Sequence, residues 1–130
     1  MNLYVADTHA LFWYLTASPR LSVRAKDAFD EGAHGEALIY IPAIVLAELY
    51  FLNNKLDRPL DFTAGVTALS RSSQFIFVPF KAEDVFDFDA DKAVPEMHDR
   101  IIVGVARRLG AMCISIDMQI ASSGLVTTIW

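Results

Sequence analysis

Five short runs of the chain read as strands, and they are apolar almost throughout rather than at every second position: Leu3–Ala6, Ala37–Ile41, Phe75–Val78, Met112–Ile116 and Val126–Ile129. A strand with one wet face alternates apolar and polar residues, whereas a strand covered on both faces does not. Helical segments lie between these runs. Strands buried on both sides and separated by helices define an α/β fold, with a parallel sheet of about five strands flanked by helices on both faces. With 130 residues the chain is expected to form one domain over 1–130, because about 100–200 residues make one.

The helices are set by punctuation. Thr8–Leu15 is apolar nearly all round and stops at Ser18-Pro19. Ser22 suits the N-cap of a helix to about Glu31, and Pro42 suits the first turn of a helix from Ala43 to about Lys55. Pro59 opens a further helical stretch to about Ser72, and Ala82–Ala93 reads as an acidic helix with a solvated face. Beyond Pro95 a helix carries the stripe Ile101, Ile102, Val105 and Leu109, with Arg107 and Arg108 near its C-terminus and Gly110 as its stop.

Several functions are excluded early. Cys113 is the only cysteine and sits in an apolar run, so it reads as a core residue; disulfides and Cys-rich zinc sites are out. The N-terminus has no basic leader, and no run approaches the ~18 apolar residues of a membrane span, so a cytoplasmic protein is expected. No G-x-G-x-x-G or P-loop follows the first strand. The 11 basic and 16 acidic residues give a net charge of −5, which argues against binding nucleic acid by surface charge alone.

Most of those acids suit solvated faces; four do not. Asp7 directly follows the first strand and Asp117 the fourth, at carboxyl ends, where open α/β sheets gather ligands. Either could instead cap the helix that follows it. Glu48 has Ile44, Val45, Phe51 and Leu52 at helical spacing, so its helix reads as apolar on every side and its carboxylate as buried. Such a carboxylate needs a metal or a structural partner such as a buried arginine. Asp99 precedes Ile101 and Ile102 and by itself reads as an N-cap. Together, the four can converge at one sheet edge, where they could not all ionise without cations. Carboxylate oxygens suit Mg²⁺ or Mn²⁺, and the chemistry that follows is phosphodiester hydrolysis. Ser115 projects to the same side of its strand as Asp117. Arg100 could pair with a site carboxylate or bind phosphate. His9 and His98 each neighbour a site acid; packing is their ordinary role, with proton transfer or RNA contact the sharper reading.

At these residues the sequence resembles the PIN-domain ribonucleases of the VapC toxin type. The matching stretches are Val5–Trp13, Val45–Leu49, Pro95–Val103, Ser115–Asp117 and Thr128–Trp130, spread over the whole chain in order. The resemblance implies a Mg²⁺- or Mn²⁺-dependent endoribonuclease. Asp7, Glu48, Asp99 and Asp117 would be its acidic site, with Thr8 and Ser115 as polar supports. It also implies an RNA substrate, a small cognate antitoxin and often a homodimer. Gly104 departs from the pattern at a place where Ala is common, and Met118-Gln119-Ile120 lacks the charges frequent there. Two other readings compete. One is a catalytically silent PIN-like binding module. The other is a phosphatase with an aspartate nucleophile, which would want a second acid where His9 stands. Removing the four site acids takes the net charge from −5 to −1, so the acidic balance points to nucleic-acid binding conditional on a divalent ion. The aromatics Phe12, Trp13, Tyr14, Phe86 and Phe88 exceed what helix faces can hide, and self-association is the expected use.

Overall fold

A computed structural model describes residues 1–130. Its strands are β1 (Asn2–Ala6), β2 (Ala37–Pro42), β3 (Phe75–Val78), β4 (Met112–Ile114) and β5 (Thr128–Ile129). Its helices are α1 (Thr8–Leu15), α2 (Val23–Ala33), α3 (Ala43–Lys55), α4 (Phe62–Arg71), α5 (Met97–Leu109) and α6 (Met118–Ser122). The five strands form one parallel sheet in the order β3-β2-β1-β4-β5. This is the α/β fold expected from the uninterrupted apolar strands. Val5, Ala6, Ile39, Ile41, Cys113 and Ile114 are fully buried, which is why these strands carry no polar face.

The strand order has a functional consequence. From β1 the chain steps outward through β2 to β3, then returns to the other side of β1 for β4. Right-handed crossovers in opposite directions place their helices on opposite faces of the sheet. Accordingly α2 packs on β2, while α5 packs on β1 and β4. Between β1 and β4 the connections diverge, leaving a crevice at the carboxyl ends of those two strands. Asp7, Ser115 and Asp117 lie immediately beyond those ends. The Asp7 N–H donates to the Ile114 carbonyl at 3.1 Å, which ties the two strand exits together.

Most helices begin and end where their punctuation places them. Ser22 caps α2 through the Ala25 N–H, and Gly110 ends α5 with φ 62°, the left-handed turn that favours glycine. No helix is long and apolar enough to cross a membrane.

Three segments differ from expectation. Helix α4 begins at Phe62 with Asp61 as cap, not at Pro59, because Asp57 and Arg58 turn through left-handed backbone first. The stretch 82–93 is not a regular helix: a 3-10 segment covers Ala82–Asp87, and turns follow. Nor is its acidic face wholly solvated. Asp91 is 1% exposed, and its two carboxylate oxygens accept from Arg107 Nε at 2.6 Å and Nη2 at 3.2 Å. That pair explains Gly104 on the adjoining turn of α5. A Cβ there would stand 3.1 Å from Asp91 Oδ2 and 3.0 Å from Arg108 Nη1, so the glycine leaves room for the buried carboxylate. Finally, the α1 aromatics are largely covered. Phe12 is buried, Tyr14 stacks on Phe29 at 4.4 Å, and Trp13 packs against Trp130. The exposed aromatics are Tyr50, Phe51, Phe80 and Phe86.

Candidate active site

Asp7 both caps a helix and lines the cleft. It ends β1 in extended backbone, and its Oδ1 accepts the Thr8 N–H at 2.7 Å, starting α1. Its Oδ2 accepts from the Ser115 hydroxyl at 2.5 Å. The Ser115 oxygen in turn accepts the Asp117 N–H at 3.0 Å. Asp117 caps α6 by accepting the Gln119 N–H at 2.8 Å. One serine thus locks the two strand-end acids together across the sheet. An aspartate at a strand-to-helix turn satisfies an orphan N–H with one oxygen and keeps the other available.

Asp99 reaches the same crevice from α5 and does not cap it. Glu96 is the cap: its Oε2 accepts the Asp99 N–H at 2.7 Å. This frees the Asp99 carboxylate to face Asp7 and Asp117. Asp99 thus stands among like charges in a partly dry site. The Asp99 carboxyl is pushed up to about 7, first by burial and then by the charges of Asp7, Asp117 and Glu96, with a hydrogen bond to Asp117 assisting. Asp7 is also raised, chiefly by burial, against the opposing hydrogen bonds from Ser115 and Thr8. The buried Cys113 thiol beneath them is driven well above its ordinary value by burial and by the same carboxylates.

Glu48 joins from α3, but not as a buried acid. Its side chain is 31% exposed, and α3 presents Ala47, Tyr50 and Phe51 to solvent rather than burying every face. An apolar helix can look buried in sequence while one face lines a cleft. The Glu48 partner is not an arginine. Thr8 Oγ1 donates to its Oε1 at 2.8 Å, and His98 Nδ1 lies 3.4 Å from its Oε2. His98 Nδ1 is also 3.4 Å from Glu96 Oε1.

Arg100 is not part of the site. Its Nε donates to the Val94 carbonyl at 2.8 Å and its Nη1 to the Phe88 carbonyl at 3.4 Å. It staples the loop before α5 instead of meeting a carboxylate or a phosphate. Glu96 is the residue that sequence reasoning missed. Its carboxylate caps α5, flanks His98 and adds to the charge on Asp99; the only signal was its place three residues before Asp99.

These groups line a cleft of about 770 Å³. Besides the acids it is lined by the apolar Ile44, Phe51, Leu52 and Ile116, and by no Lys or Arg. Hard carboxylate and hydroxyl oxygens suit Mg²⁺ or Mn²⁺ better than any softer ion. Burial, together with like charge, holds the Asp99 carboxyl near 7, and a divalent cation favours its ionised form at such a site. No three of the acidic and imidazole side chains stand at ligand spacing about one point, so chelation by three of them requires side-chain rotation.

A parallel α/β sheet with acids from β1, α3, α5 and β4 gathered at its switch-point crevice defines a class of acidic-site domains. The PIN domain family matches residues 4–122, and the chain belongs to that family. Among curated proteins no sequence matches. Solved structures share the fold at low identity. VapBC2 from Rickettsia felis, solved on a DNA fragment from its promoter, superposes with a TM-score of 0.71 at 15% identity, covering 97% of this chain and 96% of that one. VapC20 of Mycobacterium tuberculosis, a toxin that cleaves the sarcin–ricin loop, gives 0.69 at 16% identity, covering 96% and 97%. PAE2754 of Pyrobaculum aerophilum gives 0.64 at 18% identity, covering 98% and 83%.

Proposed function

We propose that the chain is a Mg²⁺- or Mn²⁺-dependent endoribonuclease, the toxin of a toxin–antitoxin pair. The observation that carries this reading is the meeting of Asp7, Glu48, Asp99 and Asp117, from segments far apart in sequence, on the lining of one cleft, with Ser115 bonded to both Asp7 and the Asp117 N–H. The VapC20 toxin, similar in fold, cleaves RNA of the sarcin–ricin loop, which favours RNA as the substrate here. The expected partners are a small antitoxin and a second copy of the chain.

Asp7, Asp99, Asp117 and Glu48 would hold the divalent ion. When bound, it lowers the pKa of an attacking water and stabilises the charge on the leaving oxygen. The protein's own residues set the geometry. Ser115 fixes Asp7 and, through the Asp117 N–H, the start of α6. Thr8 fixes Glu48, and Glu96 with Glu48 orients His98, whose imidazole can pass a proton between cleft and solvent. No covalent intermediate is needed. Cys113 is buried, and the Ser115 hydroxyl is spent on Asp7. A phosphatase with an aspartate nucleophile is disfavoured, since the position two residues after Asp7 holds His9, whose ring packs on Trp13 at 5.5 Å.

The test is RNA cleavage by purified protein with Mg²⁺ or Mn²⁺. Asp7→Asn and Asp117→Asn are expected to lose cleavage while far-UV circular dichroism stays native. Undiminished cleavage by both variants rejects the assignment. Absence of saturable divalent-ion binding at millimolar concentrations, measured by calorimetry, favours a silent binding module.

A further inference from the structure

The cleft poses a problem for a nuclease: it contains no lysine or arginine to grip a polyanion. A cation and an exposed aromatic do occur farther along one of its helices. Glu48, Phe51, Leu52 and Lys55 stand at i, i+3, i+4 and i+7 on α3, hence on one face of that helix. The rise from Glu48 to Lys55 is about 10 Å, seven steps of roughly 1.5 Å. Phe51 lines the cleft yet is 71% exposed, an unusual cost for a phenyl ring. Its ring is held rather than loose: Tyr50 meets it edge-on at 5.4 Å, and Phe62 of α4 meets Tyr50 in the same way at 5.4 Å. Lys55 is exposed and makes no ion pair.

The α3–α4 elbow beyond Lys55 is tied by hydrogen bonds. The buried Asn53 side chain donates to the Leu60 carbonyl at 2.9 Å and accepts the Leu60 N–H at 3.0 Å. Between them Asp57 and Arg58 are held in left-handed backbone, φ 62° and 57°, and the Arg58 N–H donates to the Asn53 carbonyl at 2.8 Å. Residues other than glycine adopt such backbone only where the surroundings enforce it. Arg58 is exposed and unpaired; of the two nearby acids, Asp61 is engaged by the Ala64 N–H. The order along this face of α3 is therefore site acid, aromatic ring, cation; Arg58 lies instead beside Tyr50, Asn53 and Asn54, on the other side of the helix.

We infer that the outward face of α3 is the path of single-stranded RNA out of the cleft, with Phe51 stacking an unpaired base beside the scissile phosphate and Lys55 meeting the phosphate beyond. The inference rests on the nuclease reading above. Only a single strand offers both partners in that order, since a duplex hides its base faces and a bare polyanion has no use for the ring. Stacking tolerates any base, so this wall sets a preference for unpaired RNA rather than for a sequence.

The test is steady-state cleavage of a short fluorescein-labelled RNA of mixed sequence, single-stranded and annealed to its complement. The single strand is expected to be the better substrate. Phe51→Ala should raise KM about 5- to 150-fold, the loss of one stacked base, with kcat little changed. Phe51→Trp should restore KM and Phe51→Leu should not, which separates stacking from packing. Lys55→Gln should weaken binding and lower the slope of log affinity on log salt by about 0.7, one phosphate's worth of released counterion on a single strand. Phe86→Ala, an exposed aromatic away from the cleft, should change nothing. Wild-type protein that cleaves, paired with an unchanged KM in Phe51→Ala, overturns the inference and leaves the nuclease reading standing. So does a Phe51→Ala effect accompanied by conversion of a dimer to a monomer in sedimentation, which would make this face a contact between copies. Wild-type protein that neither binds nor cleaves either RNA overturns both.

Discussion

Asp91→Ala removes a carboxylate that the fold has taken almost wholly out of water and leaves Arg107 without its partner. The magnitude follows from the surroundings. Breaking a buried ion pair by removing one member costs about 3–5 kcal/mol, because the other charge stays desolvated. Here the acid is 1% exposed but the Arg107 side chain is 33% exposed, so water can rehydrate the guanidinium in part. The expected loss is therefore about 2–3 kcal/mol, below the fully buried range. At roughly 3–5 °C per kcal/mol for a chain of this length, the melting temperature should fall by about 10 °C. Urea denaturation followed by circular dichroism reads the loss directly, as a lower midpoint with an unchanged slope. Asp91→Ala with Arg107→Met should recover part of it, because no charge is then stranded. Gly104 supplies a second arm. Gly104→Ala gains about 1 kcal/mol of helix propensity but brings its Cβ to 3.1 Å from Asp91 Oδ2, so the gain should appear in the Asp91→Ala background and be blunted in the wild type. An Asp91→Ala loss below about 0.5 kcal/mol, the range of an ordinary surface change, would refute the argument that this acid is held by a buried pair.

Two further outcomes follow from the site. Without divalent ions, the raised Asp99 carboxyl contributes stability that is full below its ordinary value of 3.8 and is lost as pH rises through about 7. Stability should decline across that window, Asp99→Asn should flatten the decline, and Mg²⁺ should raise the melting temperature more at pH above about 7 than below it, since protons compete for the same oxygens. Ser115→Ala removes the bond to Asp7 Oδ2 and the acceptor for the Asp117 N–H. It should cost about 1.5–3 kcal/mol, as a charge-assisted bond does, and it should move the pH dependence of divalent-ion binding upward, because that bond holds the Asp7 carboxyl down.

The Asp7 and Asp117 positions were legible because a strand-end aspartate stands in the same place whether it caps a helix or faces a cleft, and here each caps a helix and lines the cleft. Asp99 was legible as a site acid but not in its local role, because Glu96 and Asp99 are both plausible caps and only the backbone turn decides between them. Glu48 was found for a mistaken reason. Apolar neighbours at helical spacing were read as burial, although some of them line an open cleft. Asp91 was hidden among acids that do face water, since its partner lies sixteen residues away on another element. Arg100 sits beside a site acid in sequence, yet helix geometry turns its guanidinium toward the preceding loop.

The sequence by itself determined the layered α/β class, because unbroken apolar strands cannot face water, and it determined which acids were out of place, because a charge among apolar neighbours demands a partner. The order of strands, and with it the crevice between β1 and β4, is a property of the crossovers, so only the tertiary structure brings Asp7 to Ser115 across 108 positions of chain. The same holds for which side of α3 is wet. Helical spacing groups Glu48, Phe51 and Lys55 on one face, but only the packing decides that Thr8 of α1 and His98 of α5 close on Glu48 while Phe51 and Lys55 stay exposed.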